Sequence, residues 1–119
     1  MMQEYVNVLG DIVRQERLKA DITQDELAER IGTDSRTILK IENYRGNPKM
    51  EVLYPLVRTL NIDANRIFYP ESYRDSAELK QFHAFLSQCT AEELHSLYHV
   101  CQAVLSVLKD KHPIEIVQK

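Results

Sequence analysis

The sequence predicts an all-helical protein, and three observations carry that prediction. Apolar residues recur at intervals of three and four along most of the chain, which gathers them on one side of a helix. Only three glycines are spread over 119 residues, and no alternating apolar run is long enough for a half-buried strand. Thr23, Asp34, Asp75 and Thr90 stand ahead of apolar stripes, where a helix start needs side-chain acceptors for its free N–H groups. A hydrophobic fraction of 44% is enough for a packed core, so disorder is not expected.

In chain order, Val6, Leu9, Ile12 and Val13 mark a first helix; Leu27, Ala28 and Ile31 a second; Ile38, Leu39 and Ile41 a third; Leu53, Leu56, Val57 and Leu60 a fourth. A last turn covers Ala64 to Phe68. Thr23 with Glu26 has the spacing of a capping box at the start of the second helix, and Asp34 is the expected cap of the third. Gly32 lies where the second helix must end, and glycine takes the left-handed backbone of a tight turn without a Cβ penalty. Pro70 and the polar residues Glu71, Ser72 and Arg74 then interrupt the pattern. Beyond them, Asp75 with Glu78 and Thr90 with Glu93 predict two more capping boxes. A sixth helix carries Leu79, Phe82, Leu86 and Cys89; a seventh carries Leu94, Leu97, Cys101, Val104 and Leu108 at heptad-like spacing. The expected organisation is a domain over 1–70, a helical hairpin over 75–110 and a tail over 111–119.

Composition narrows the function classes. No stretch approaches the roughly 18 uncharged apolar residues of a membrane span, and no basic leader precedes an apolar run, so a cytoplasmic protein is expected. Two cysteines, Cys89 and Cys101, do not make a disulfide framework. Cys101, on an apolar stripe, is expected to be buried and unreactive. His83, His95 and His99 with the cysteines match no strong zinc spacing, so neither a metal nor a cofactor is expected. The net charge of −3 argues against blanket adhesion to nucleic acid, so any such binding needs a local patch. From Thr33 to Arg58 five basic residues (Arg36, Lys40, Arg45, Lys49, Arg58) face three acidic ones (Asp34, Glu42, Glu51), a local excess of positive charge.

The segment from Gln24 to Asn43, QDELAERIGTDSRTILKIEN, is the most specific part of the chain. Two helices crossing steeply need a small residue at their contact, a glycine in the turn and branched apolar residues facing back from the second helix. Ala28, Gly32, Ile38 and Ile41 meet those needs. Together with Leu9, Gly10, Arg17, Thr23, Glu42, Asn43, Asn47 and Pro48, this run resembles the phage-repressor (Xre-type, lambda-repressor-like) helix-turn-helix family over Val8 to Phe68. The resemblance implies a five-helix lambda-repressor-like DNA-binding domain, here with a C-terminal two-helix extension. Its third helix would enter the major groove of double-stranded DNA. By position, the resemblance assigns base contacts to Ser35, Arg36 and Lys40, with Thr37 and Leu39 flanking that face and Gln24, Thr33 and Asn43 holding phosphates. Arg36 suits a guanine, because its planar fork matches two acceptors in the groove. Arg17 and Glu42 are expected to pair between the first helix and the end of the third.

Some positions depart from the family pattern. Lys49 replaces a serine-like cap and Pro55 falls within the fourth helix, which is expected to start late or kink. Tyr44 replaces a glycine, leaving Gly46 to turn the chain, and Arg45 and Lys49 become candidate phosphate contacts in the loop from Tyr44 to Pro48.

The leading expectation is a homodimeric repressor on an inverted-repeat operator, since one head holds only a half-site weakly. Leu94, Leu97, Cys101, Val104 and Leu108 are the candidate dimerisation residues; packing of the hairpin on its own domain is the alternative use of the same seam. An antitoxin-like or antirepressor interaction module is the second functional reading. An enzyme finds little support, because no phosphate-cradling glycine loop or nucleophile motif is present. Nothing in the sequence identifies a small-molecule or protein effector.

Overall fold

A computed structural model describes residues 2–111. Among them are seven α-helices and no strand: α1 (Met2–Lys19), α2 (Gln24–Ile31), α3 (Ser35–Glu42), α4 (Met50–Thr59), α5 (Ala64–Phe68), α6 (Ala77–Leu86) and α7 (Ala91–Lys111). The chain divides into two units between Tyr73 and Arg74. The tail expected over 111–119 lies, after Lys111, outside the described residues. No described helix is long and apolar enough to cross a membrane.

In the first unit α1 and α2 both pack on α3, α1 also meets α5, and α2 meets α4. Their apolar stripes converge on one core: Leu9, Leu27, Ile38 and Leu56 are fully enclosed, with Ile12, Val13, Ala28, Ile31, Ile41, Leu53, Leu60, Ile62 and Ile67 around them. Short helices of eight to ten residues are marginal alone, so this shared burial is what holds them. Their starts are set locally. Thr23 accepts from the Glu26 N–H at 3.0 Å while Glu26 accepts from the Thr23 N–H at 2.8 Å, the reciprocal box its spacing predicts. Asp34 caps α3 by accepting from the Thr37 N–H at 2.9 Å, and Gly32 ends α2 at φ 77°.

Two local expectations are corrected. The late start of α4 is one: the helix begins directly after Lys49, which gives no side-chain cap, and runs to Thr59 with Pro55 inside it. The N–H groups of Val52 and Leu53 both find the Lys49 carbonyl, at 2.9 Å each, and Leu53 and Leu56 are buried, so packing holds a helix that lacks a cap. The turn after α3 is made by Tyr44, not Gly46. Tyr44 takes φ 65° and the only glycine at positive φ is Gly32. The Arg45 N–H bonds the Lys40 carbonyl at 2.8 Å, closing the end of α3 around Tyr44.

The second unit is built differently. Helix α6 is capped by Ser76, which accepts from the Leu79 N–H at 3.1 Å, rather than by the Asp75 and Glu78 box that the spacing suggested. Thr90 and Glu93 form their box as expected, at 2.9 and 3.1 Å, ahead of α7. Phe82 and Leu86 of α6 and Leu94, Leu97, Tyr98 and Cys101 of α7 line a shared apolar groove. No residue from Arg74 to Asp110 is fully buried; Cys101, expected in a core, is only partly covered, because two helices leave no third layer to close over it.

Candidate nucleic-acid interface

The position of α3 is fixed by polar contacts as well as by the core. Arg17 at the end of α1 grips Glu42 at the end of α3 through two parallel bonds, Nε to Oε2 at 2.7 Å and Nη2 to Oε1 at 3.0 Å. Its remaining Nη1 donates to the Ile22 carbonyl at 2.9 Å, and Gln24 donates to Glu42 Oε1 at 3.0 Å. The Arg17 and Glu42 side chains are 12% and 3% exposed, so the bidentate pair is largely withdrawn from water. Its hydrogen bond to Glu42 holds the Arg17 pKa above the ordinary arginine value.

Gly10, one of the residues that match the family pattern, and Tyr44, which departs from it, form a second fastening. A Cβ on Gly10 would stand 2.5 Å from the Ile41 carbonyl oxygen and 2.8 Å from the Tyr44 ring, so α1 and the end of α3 approach as closely as glycine permits. The Tyr44 hydroxyl donates to Asp11. That bond, with the ring lying against Gly10, offsets the roughly 1–2 kcal/mol that a left-handed backbone costs a residue with a Cβ. The lone glycine of α1 was the available signal in the sequence for this contact; the Tyr44 bond left none.

With Ile38, Ile41 and Glu42 turned inward, Arg36, Leu39, Lys40 and Asn43 are all exposed on the opposite side of α3. The first turn of α3 is already engaged. Ser35 donates to Asp25 of α2, and Thr37 donates its hydroxyl to Asp34 at 2.8 Å. The Asp34 carboxyl is held below its ordinary pKa, chiefly by the Thr37 N–H, so it stays charged beside the helix start. Asp25, Glu26, Glu29 and Asp34 line a shallow groove with Thr33 and Ser35. One flank of α3 is therefore acidic, while its outward face carries Arg36 and Lys40 and its far end leads to Asn43, Arg45 and Lys49, all exposed. Of the residues expected to hold phosphates, Gln24 is half-buried and bound to Glu42 and Thr33 uses its N–H on the Ala28 carbonyl at 2.9 Å.

Comparison with known proteins meets this geometry at the same residues. The helix-turn-helix family model matches residues 13–67, a span that runs from α1 to α5. An uncharacterized HTH-type transcriptional regulator of Archaeoglobus fulgidus is 34% identical over 56 residues, covering 47% of this chain and 79% of that protein. The chain belongs to the Xre-like helix-turn-helix family. A second Archaeoglobus fulgidus protein of the same description is 32% identical over 56 residues, covering 47% of this chain and 80% of its own length. One from Methanothermobacter thermautotrophicus is 35% identical over 49 residues, covering 41% of this chain and 71% of its own. Within the helix-turn-helix unit, α2 and α3 are the paired helices and Gly32 is the turn glycine. The family match ends before α6, so the second unit lies outside it.

Proposed function

We propose that the protein is a sequence-specific DNA-binding transcriptional regulator, a homodimeric repressor that occupies an inverted-repeat operator with α3 in the major groove. The observation that carries this reading is the exposed face of α3, where Arg36 and Lys40 feel the charge of Asp34 yet form no ion pair within 4 Å among the described residues, on a helix locked at both ends. Arg36 presents a planar fork to a guanine, and Lys40, one turn later, contributes a less directional donor. Asn43, Arg45 and Lys49 contact phosphates beyond the helix end, and Thr37 and Thr33 flank its start. Ser35 reads a base through its remaining acceptor lone pairs while donating to Asp25, and Gln24 acts by bracing Glu42. The acidic groove beside the helix start repels phosphate, which favours approach of the duplex from the Arg36 and Lys40 side.

In this reading residues 1–70 are the DNA-binding domain and residues 75–110 the dimerisation element. Ten large apolar side chains of the second unit, among them Leu94, Val104 and Leu108, are between 38% and 63% exposed. Half-exposed side chains of that size and number offer on the order of 800 Å², what a stable interface takes from each partner. Helix α7 has 21 residues against 10 in α6, so its second half extends past its hairpin neighbour and leaves Val104 and Leu108 for the matching helix of a second copy, with Leu94, Leu97 and Cys101 continuing the seam.

The same exposed surface also favours a second reading, an interaction module of the antitoxin or antirepressor kind that holds a different protein. Selection of bound sequences from a random duplex pool separates the two. The regulator reading predicts recovery of two symmetric half-sites about 10 base pairs apart or a multiple of that. A pool that yields no enriched sequence would leave the interaction module as the function.

A further inference from the structure

Leu39 is the one residue on the outer face of α3 with no hydrogen-bonding group. It is 45% exposed, whereas Ile38 and Ile41 on the same helix are 0% and 1%. A single exposed leucine is ordinary, and Leu18, 57% exposed at the end of α1, is one such case. What sets Leu39 apart is its company. Arg36 lies one turn before it, Lys40 beside it and Asn43 one turn after it, all exposed. It therefore occupies the middle of a polar face that would be better hydrated with a polar residue there. Its cost in water is recovered only when the face meets a surface with an apolar feature at that place.

The major groove has one such feature, the C5-methyl group of thymine. Resting on the reading of α3 as the base-contacting helix, we propose that Leu39 is a specificity-determining residue that packs against a thymine methyl. A side chain without donor or acceptor cannot sort bases by their hydrogen-bonding edges, so the methyl group is all that it reads. A rise of about 1.5 Å per residue places Leu39 about 4.5 Å along the helix from Arg36. Base pairs stack about 3.4 Å apart, so the thymine lies within two base pairs of the guanine met by Arg36.

Deoxyuridine tests this without altering base pairing, because it differs from thymidine by the methyl alone. Duplexes carrying the sequence recovered by selection are rebuilt with deoxyuridine at one thymine position at a time, and binding of the full chain is titrated. Loss of one buried methyl is expected to weaken binding about fourfold at a single thymine in each half-site. Leu39→Ala and Leu39→Gln are expected to reduce that penalty below twofold, and Leu39→Met, which keeps an apolar side chain, is expected to retain it. Thermal melting of the free variants establishes that they fold, and the two substitutions make the test independent of either one. If no thymine carries a penalty although the duplex is bound specifically, or if both variants keep the fourfold penalty, the assignment is overturned while base reading by α3 stands. If selection recovers no sequence, the base-reading role itself fails and that of Leu39 fails with it.

Discussion

The two units carry similar apolar patterns and satisfy them in opposite ways. In the first, fifteen hydrophobic residues from Val6 to Ile67 are buried, although its helices α2 to α5 are ten residues or shorter. In the second, a helix of 21 residues with a complete capping box buries none of its described side chains fully. The difference is in the number of faces available. Five helices surround a centre, whereas two can cover only the line along which they touch. Capping and periodicity make a helix, and a core requires enough helices to enclose one.

Truncations in the two units sharpen this contrast and should differ most in size. Leu9→Ala, at a fully enclosed site, is expected to cost about 2–5 kcal/mol in urea unfolding. Val104→Ala, at a site 53% exposed, is expected to change the stability of the dilute chain by less than about 0.5 kcal/mol and to weaken self-association instead. Equal losses from the two substitutions at low protein concentration would mean that the second unit has a core of its own.

Arg17→Ala probes the polar half of the first unit. Since Glu42 is 3% exposed, removing its partner strands a buried carboxylate, with an expected loss of about 3–5 kcal/mol. The same change at the exposed pair between Lys80 and Asp75, 3.2 Å apart in the second unit, is expected to cost less than about 1 kcal/mol. A melting temperature unmoved by Arg17→Ala would make the pair a surface contact without consequence.

The smallest expected effect is on pH dependence. Glu16 is held below its ordinary value of 4.5, first by its hydrogen bond from Arg66 at 2.7 Å, against an opposing effect of burial, with the charge of Lys19 a lesser aid. A depressed carboxyl stabilises the fold above its unfolded pKa and loses that contribution as the pH falls through the folded value. The melting temperature should therefore decline as the pH drops below about 4.5, and Glu16→Gln should flatten part of that decline. Glu26 and Asp34, lowered chiefly by backbone N–H groups at helix starts, act in the same direction. An unchanged acid profile in Glu16→Gln would remove the Arg66 contact from the account.

Much of the first unit was legible because its signals are local. Thr23 with Glu26, Asp34 and Gly32 each state a backbone geometry within a few residues, and Ala28, Ile38 and Ile41 follow helical spacing. The pairing of Arg17 with Glu42 came from family resemblance, since 25 residues separate the partners and spacing alone could not join them. What escaped the sequence depends on contacts between distant segments. Tyr44 takes the turn because Gly10 leaves room for its ring and Asp11 accepts its hydroxyl, 33 residues away. Ser35 and Gln24, both expected at the duplex, are engaged by Asp25 and Glu42 for the same reason: the pairing of α2 with α3 places them within reach. Ser76 displaced Asp75 as the cap of α6 because a shift of one residue is within the ambiguity of adjacent capping residues.

The role of α3 is tested most directly by Arg36→Ala with Lys40→Ala on a duplex of the selected sequence and on a scrambled one. Both side chains are exposed and take no part in the core, so the double variant should melt as the original chain does. It should lose the preference for the selected duplex, by about tenfold or more, and show a shallower dependence of binding on salt. A folded double variant that still prefers the selected duplex by the original factor would contradict the account.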